Sequence, residues 1–313
     1  MLFEKKIIIP GGAGLVGQNL VTRLKEKGYR NIIVLDKHKT NIQILKKLHA
    51  DVQAYCVDLS ERGDWISYFE SADVVIMLQA QIGDLNPEPF IKNNITSTKN
   101  VLEAIKHYSI PHTIHISSSV VNSKANDHYT NTKIAQENLV INSGINCVVL
   151  RPTLMFGWFD RKHLGWLARF MKKVPIFPIP GHGNYMRQPL YANDFCSIII
   201  SCMENRISGC SFNISGLERI NYIDIVRQIK KSINANSLIL KIPYSLFYCL
   251  LKTWSLFDKT PPFTVEQLSA LVADDEFEEI DWPTIFNIKA TPFAEAIHTT
   301  FTHPEYSKIA LDF

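Results

Sequence analysis

The order of short apolar runs in the first half of the chain limits its fold more than any other feature. The runs KIIIP (6–10), NIIVL (31–35), VQAYCV (52–57), DVVIML (73–78), HTIHIS (112–117) and NCVVLRP (146–152) alternate with segments of helical period at 15–27, 41–48, 64–69, 89–107 and 129–142. Six strands separated by helices require a parallel sheet with helices on both faces, because a parallel crossover needs a helix to bring the chain back. The fold class expected is therefore α/β, a Rossmann-type doubly wound parallel sheet. After Pro152 the rhythm breaks, and residues 153–187 read as loop-rich around PIFPIPGHG (175–183). A short strand LYA, a helix over 193–204, a strand near 211–214 and helices near 221–234, 243–256, 264–271 and 291–301 follow. This pattern predicts a sheet-bearing first domain over 1–157, to which 187–215 return, and a smaller, mostly helical region over 158–313.

Composition removes other classes. The chain has 313 residues, 46% apolar and 20% charged, so it can bury a large core and is not a disordered tract. A net charge of +3, without a cluster of Lys and Arg interleaved with aromatics, gives no reason to expect nucleic acid as a partner. Cys56, Cys147, Cys196, Cys202, Cys210 and Cys249 are scattered in no metal-binding or disulfide pattern, and His107, His112, His115, His128 and His163 fit no metal spacing, so no metal site is expected. The N-terminus enters a strand almost at once, which predicts a cytoplasmic chain with no secretory leader. The segment 244–257 (YSLFYCLLKTWSLF) is too short to span a bilayer and predicts a buried or partner-facing helix.

The first strand runs into Pro10-Gly11-Gly12-Ala13-Gly14-Leu15-Val16-Gly17. Gly11 permits a tight turn, Gly14 lets backbone N–H groups approach a pyrophosphate, and Gly17 lets the helix opened by Leu15 and Val16 pack on the sheet with its N-terminus toward the phosphates. Asp36, at the end of the second strand, stands where an acid receives the adenosine ribose hydroxyls and selects NAD. Lys37, His38 and Lys39 follow it and keep NADP open. Asp58 and Leu59, after the third strand, stand where an adenine ring would be read, and Gln79 ends the fourth strand beside the same cofactor.

The fifth strand ends in Ser117-Ser118-Ser119, and the next helix opens with Tyr129-Thr130-Asn131-Thr132-Lys133. Tyr129 and Lys133 lie one turn apart on one helix face, and Ser118 stands at the carboxyl end of a strand, where ligands of such sheets bind. A tyrosine with a pKa near 10 is a poor base at neutral pH, and a close ammonium would lower it. Tyr129 is the expected proton carrier, Ser118 the group that holds the reacting oxygen, and Lys133 the group that binds the nicotinamide ribose.

These motifs together resemble the extended short-chain dehydrogenase/reductase family, the NAD-dependent epimerase/dehydratase group that acts chiefly on nucleotide sugars. The resemblance covers roughly residues 5–215 and includes Asn94-Ile95-Thr96-Ser97-Thr98, Leu150-Arg151-Pro152 with Phe156-Gly157, and Gly181-His182-Gly183 with Arg187 and Asp194. It implies that Arg187 binds a substrate diphosphate, that Ser119 touches substrate, and that the chain pairs as a homodimer through helices 89–107 and 129–142. Ser118-Ser119 lacks the acid that follows in dehydratases, which points to C4 epimerisation or keto-sugar reduction. Asn122-Ser123 and Ala125 depart from the family pattern, and only eleven positions separate Ser118 from Tyr129, which leaves open a reductase of a non-sugar carbonyl compound. The segments 262–268, Pro283-Thr284 and Thr291-Pro292-Phe293 resemble reductase homologues related to the 39-kDa subunit of respiratory complex I, in which the cofactor persists and turnover can be absent.

Overall fold

The computed structural model describes residues 4–84, 86–123, 125–257, 268, 271–272 and 280–312. Seven parallel strands form its central sheet: β1 (Ile7–Pro10), β2 (Ile32–Asp36), β3 (Gln53–Cys56), β4 (Val74–Met77), β5 (Thr113–Ile116), β6 (Cys147–Pro152) and a returning strand, Ser211–Ile214, in the spatial order returning strand, β6, β5, β4, β1, β2, β3. The order reverses between β1 and β4, and that reversal opens the crevice at the strands' carboxyl ends. β1, β2, β4 and β5 are buried throughout, because helices cover both faces and both sets of alternating side chains meet a core. Ile7, Ile9, Val34 and Ile76 pack on one face of the sheet, and Ile8, Leu35, Val75 and Met77 on the other.

Helices α1 (Leu15–Glu26), α2 (Lys39–Leu48), α3 (Pro87–Phe90), α4 (Ser97–His107) and α5 (His128–Ile141) connect the first six strands, together with a 3₁₀ turn at Asp64–Phe69. A π-helical stretch, Ile91–Thr96, interrupts the passage from α3 to α4, where the sequence predicts one continuous helix. Helix α6 (Leu164–Lys173) and strand β8 (Ile176–Pro180) occupy the passage read as loop, with a two-residue strand β7 (Met155–Phe156) before them. Prolines punctuate β8, and a proline donates no backbone hydrogen bond, so the strand survives only at an edge. It has one parallel partner, β13 (Leu238–Ile242). Between these two lie β9 (Met186–Arg187), β10 (Leu190–Tyr191), α7 (Ala192–Glu204), the returning strand β11, β12 (Ile220–Asn221) and α8 (Tyr222–Ser232). Helix α9 (Tyr244–Phe257) then precedes α10 (Trp282–Phe286) and α11 (Phe293–Thr302).

Trp282 and Phe286 of α10 fill the core around the sheet, and Trp282 donates its indole N–H to Ser215 O at 3.0 Å. The segment 244–257, expected to be buried or partner-facing, carries exposed Leu246 and Leu250 along α9. The helix expected over 264–271 falls largely outside the described residues. Close packing is tightest where α1 meets the glycine loop: a Cβ on Gly17 would come within 2.1 Å of Gly12 O. The substitution G17A is expected to destabilise the fold by about 1–3 kcal/mol through overpacking, read as a lower midpoint in urea unfolding.

Candidate functional site

The glycine loop at the crevice separates two kinds of constraint. Gly11 has φ +74°, and a Cβ there would lie 2.4 Å from the backbone N of Gln79, so the loop is pressed against the end of β4. At Gly14 the chain itself imposes nothing comparable, since the nearest atom to an added Cβ is Gly11 O at 3.8 Å. Gly14 is the N-cap of α1, its helix start has no side-chain cap and no acidic residue in its first turn, and Leu15 and Val16 beside it are half-buried. An open cradle with unsatisfied N–H groups at a positive helix end fits a pyrophosphate.

Asp36 is buried and fixed by two backbone donors, Ala13 N to Oδ2 at 3.0 Å and His38 N to Oδ1 at 2.9 Å. The first of these ties the acid to the glycine loop, so a ribose beside it and a pyrophosphate over Gly14 share one rigid frame. Asp58 accepts from Ser60 N at 2.9 Å and Ser60 Oγ at 2.6 Å, and pairs with Lys92 at 3.2 Å. Burial opposes its charge, yet Ser60 and Lys92 outweigh it and hold the carboxyl below its ordinary value. Leu59 is buried, and its carbonyl accepts from Asn100 Nδ2 at 2.9 Å.

At the next strand, Ser118 is buried in extended backbone, and its Oγ accepts from Val120 N at 3.4 Å. Ser119 is half-buried and starts a 3₁₀ turn, Ser119–Asn122. Asp127 caps α5 by accepting from Thr130 N at 2.9 Å, which sets Tyr129 in the first turn. Burial raises the pKa of the Tyr129 phenol, Ser118 opposes that through a hydrogen bond, and the charge of Asp127 raises it further. The expected lowering by Lys133 is not found. The ammonium is directed elsewhere, to Ile116 O at 3.1 Å and Gln136 Oε1 at 2.6 Å.

Lys133 is only 1% exposed, and burial brings it from 10.5 down to about 7, against the charge of Glu137. Gln136, buried one turn further along α5, donates to Gln79 O at 3.1 Å and to Thr98 Oγ1 at 2.9 Å. One run of contacts therefore joins the glycine loop to Gln79, Gln136, Lys133 and the end of β5. Glu137 accepts from the Arg151 guanidinium on β6, at 3.1 Å from Nε and 2.5 Å from Nη2. Asn94 sits buried in the π-helical stretch, accepts from Gln81 N at 2.7 Å and donates to Thr132 Oγ1 at 2.9 Å, fixing that stretch against α5. Sequence reasoning did not single out Gln136 or Glu137, and it met Thr98 only within the family segment 94–98. The spacing from Lys133 by three and four residues was the signal that could have found the first two.

Arg187 stands on a different element. It lies on β9, paired antiparallel with β12, and its guanidinium donates to Met186 O at 2.7 Å and to Leu271 O. Burial raises the pKa of Tyr222, and the charge of Arg187 opposes that rise, so the two side chains are neighbours in the C-terminal half.

Comparison with known proteins decides the family. The profile of the NAD dependent epimerase/dehydratase family matches residues 7–215, two thirds of the chain. The chain belongs to that family. Among its relatives is a UDP-N-acetyl-alpha-D-glucosaminuronate decarboxylase of Bacillus cytotoxicus, 21% identical over 78% of this chain and 85% of that one. A second is the mitochondrial NADH dehydrogenase [ubiquinone] 1 alpha subcomplex subunit 9 of Arabidopsis thaliana, 22% identical over 84% of this chain and 69% of that protein. Of the solved structures, UDP-glucuronic acid 4-epimerase from Bacillus cereus in complex with NAD superposes with a TM-score of 0.70, at 24% identity over 97% of this chain and 98% of the other. The family is NAD dependent, and the open cradle at Gly14 with the Asp36 carboxylate fits such a cofactor.

The buried Lys133 gives a pH signature for the family member. The unfolded chain holds the lysine proton up to the ordinary value, whereas the fold releases it near pH 7. The cost of a buried charge is thus full below pH 7 and fades as pH rises toward 10.5. Unfolding free energy is expected to rise by about 3 kcal/mol between pH 6 and pH 9 on this account, and K133M should flatten that rise in urea titrations at the two pH values.

Proposed function

We propose that this protein is an NAD-dependent epimerase or keto-sugar reductase of a nucleotide sugar, with Ser118, Tyr129 and Lys133 as its working side chains. The observation that supports this reading best is the shared frame of the glycine loop, Gln79, Gln136 and Lys133, which sets Tyr129 and Ser118 next to the place where the nicotinamide end of the cofactor would lie. NAD, when bound, supplies a hydride acceptor and donor at its nicotinamide ring. As phenolate, a form that burial and Asp127 disfavour in the protein alone and that the positive charge of bound NAD would favour, Tyr129 would take the proton from the sugar hydroxyl on oxidation, and as phenol it would return it to the carbonyl oxygen on reduction. Ser118 holds that same oxygen with its hydroxyl. Lys133, with a pKa brought to about 7 by burial, is a group that gains or loses a proton readily near neutral pH, and it binds the ribose beside Tyr129. Gln136 and Gln79 position Lys133 and the loop; Leu15, Val16, Asp58 and Leu59 complete the cofactor groove.

Arg187 receives the substrate diphosphate and Ser119 the sugar. A planar guanidinium with two N–H edges suits a diphosphate, and the backbone carbonyls that now accept from Arg187 orient it. The relatives named as a UDP-sugar decarboxylase and a UDP-sugar epimerase support that substrate class. The six cysteines are all free, which favours a reducing compartment such as the cytoplasm, and α4 and α5 lie side by side as a surface through which two copies would form a homodimer.

A second reading, a cofactor-binding assembly module without turnover, is favoured by the relative named as a respiratory-complex subunit. Activity against UDP-sugars separates the two. Under the first reading Y129F lowers kcat by about 10²–10⁴-fold while NAD binding persists, and R187A raises KM with a smaller change in kcat. An unaltered rate in Y129F, or no turnover of any nucleotide sugar by the NAD-loaded wild type, would set the enzyme reading aside.

A further inference from the structure

Four buried polar atoms along one face of β5 have no hydrogen-bond partner among the described residues: Thr113 Oγ1, both ring nitrogens of His115, and Ser117 Oγ. Ser117, one residue past the strand, continues its ladder by donating its N–H to Leu150 O at 2.8 Å. Side chains two apart on a strand share a face, and Ile114 and Ile116 between them pack in the core on the opposite side. His115, at 0% exposed, stands level with Met77 of β4 and Val149 of β6. Met77 shares its cluster with Val140 of α5 and with Val101 and Leu102 of α4. The imidazole is therefore enclosed between the sheet and the helix that carries Tyr129 and Lys133.

Lys133 reaches from α5 onto this strand, with its Nζ 3.1 Å from Ile116 O, the carbonyl one residue past His115. That bond and the one to Gln136 Oε1 at 2.6 Å use two of the three N–H groups of an ammonium. The third has no acceptor among the described residues, and a neutral imidazole always offers one unprotonated ring nitrogen. Other charged and titratable groups around the ring are few. On α5 there is Glu137, and its charge is met by Arg151 of β6 at 2.5 Å. On β6 there is also Cys147, level with Thr113. β4 carries no charge, and α4 buries none. Burial and the charge of Lys133 both hold the ring well below the ordinary histidine value, so it is neutral at neutral pH.

We propose that His115 is the third acceptor of the Lys133 ammonium, directly or through one ordered water, and so a positioning residue that sets how tightly Lys133 holds its proton. A buried polar side chain needs such a partner, and the two groups complete each other: one has a spare donor and the other a spare acceptor. A hydrogen bond from a charged donor is about twice as strong as one between neutral groups. The contact therefore favours the ammonium over the amine, and without it burial would strip the Lys133 proton at a lower pH still. His115 acts through Lys133 and was given no contact with substrate or cofactor. Its effect on proton affinity needs only the fold, whereas its effect on rate rests on the reading of Ser118, Tyr129 and Lys133 as the working side chains.

Urea unfolding of the whole chain from about pH 5 to about pH 9 tests it, in the wild type, H115F, K133M and the double variant. Phenylalanine keeps an aromatic ring and removes both nitrogens. In H115F the stability rise tied to Lys133 should begin about one pH unit lower, a loss of about tenfold in proton affinity. In the K133M background the same substitution should leave the pH dependence as it finds it. H115N, which keeps an acceptor, should return the midpoint toward the wild type. Ring-nitrogen NMR gives a reading with residue 115 intact: one histidine should follow the Lys133 titration in the wild type and lose that response in K133M. With a nucleotide sugar, the limb of the kcat profile set by Lys133 should move in H115F by the same amount as the stability midpoint. An equal effect of H115F at every pH, a shift that survives in K133M, or the absence of any histidine signal that follows Lys133 would overturn the proposal. A moved midpoint without turnover would set aside the nucleotide-sugar reading alone, and turnover with an unmoved midpoint would set aside the role of His115 alone.

Discussion

The burial of one cation organises the centre of this molecule. Lys133 carries an ammonium into a place that is 1% exposed, and such a charge persists in a fold only where acceptors meet it. Ile116 O at the end of β5 is one, and Gln136 on the lysine's own helix is the other. Gln136 must then give its amide N–H groups to Gln79 O and Thr98 Oγ1, which pins β4 and α4. Gln79 in turn leaves no room for a side chain at Gly11. One chain of contacts thus runs from the buried lysine to β5, β4, α4 and the glycine loop, and burial leaves the lysine's proton nearly in balance at neutral pH.

Around that centre the three glycines of the loop answer to different masters. Gly17 and Gly11 are required by the chain, since a Cβ would strike Gly12 O in one case and the Gln79 backbone in the other. Gly14 faces open space at an uncapped helix end, and no atom of the chain requires its smallness. Two of the glycines are demanded by the packing of the fold, and the third leaves an opening that fits an anion.

The sheet was legible in the sequence because a strand covered on both faces is a nearly continuous apolar run, and β1, β2, β4 and most of β6 read so, while β5 alternates Thr113 and His115 with Ile114 and Ile116. Tyr129 and Lys133 were legible as a one-turn pair. What hydrophobic periodicity could not show was the buried face of α5, since Thr130, Lys133, Gln136 and Glu137 are polar residues hidden by mutual hydrogen bonding, and a pattern of apolar residues is blind to them. Proximity to Tyr129 along the helix does not show which acceptors Lys133 meets, and in the protein alone these are Ile116 O and Gln136 Oε1. In the second half, Pro178 and Pro180 hid β8, because a proline within a run argues against a central strand and β8 is an edge strand with β13 as its one partner. The apolar segment 244–257 suggested a buried or partner-facing helix, and exposed Leu246 and Leu250 along α9 rule out full burial.

The central claim is that the open cradle at Gly14 is a cofactor site and not a slack turn of the backbone. Calorimetric titration of NAD into the wild type and into G14A tests it, with urea unfolding of both proteins as the control. Because the nearest atom to the new Cβ is 3.8 Å away, stability should fall by no more than about 1 kcal/mol, the difference between Gly and Ala at an N-cap, while NAD affinity should fall by about tenfold or more, which corresponds to roughly 1.4 kcal/mol. An unchanged affinity in G14A, with the fold intact, would contradict the account.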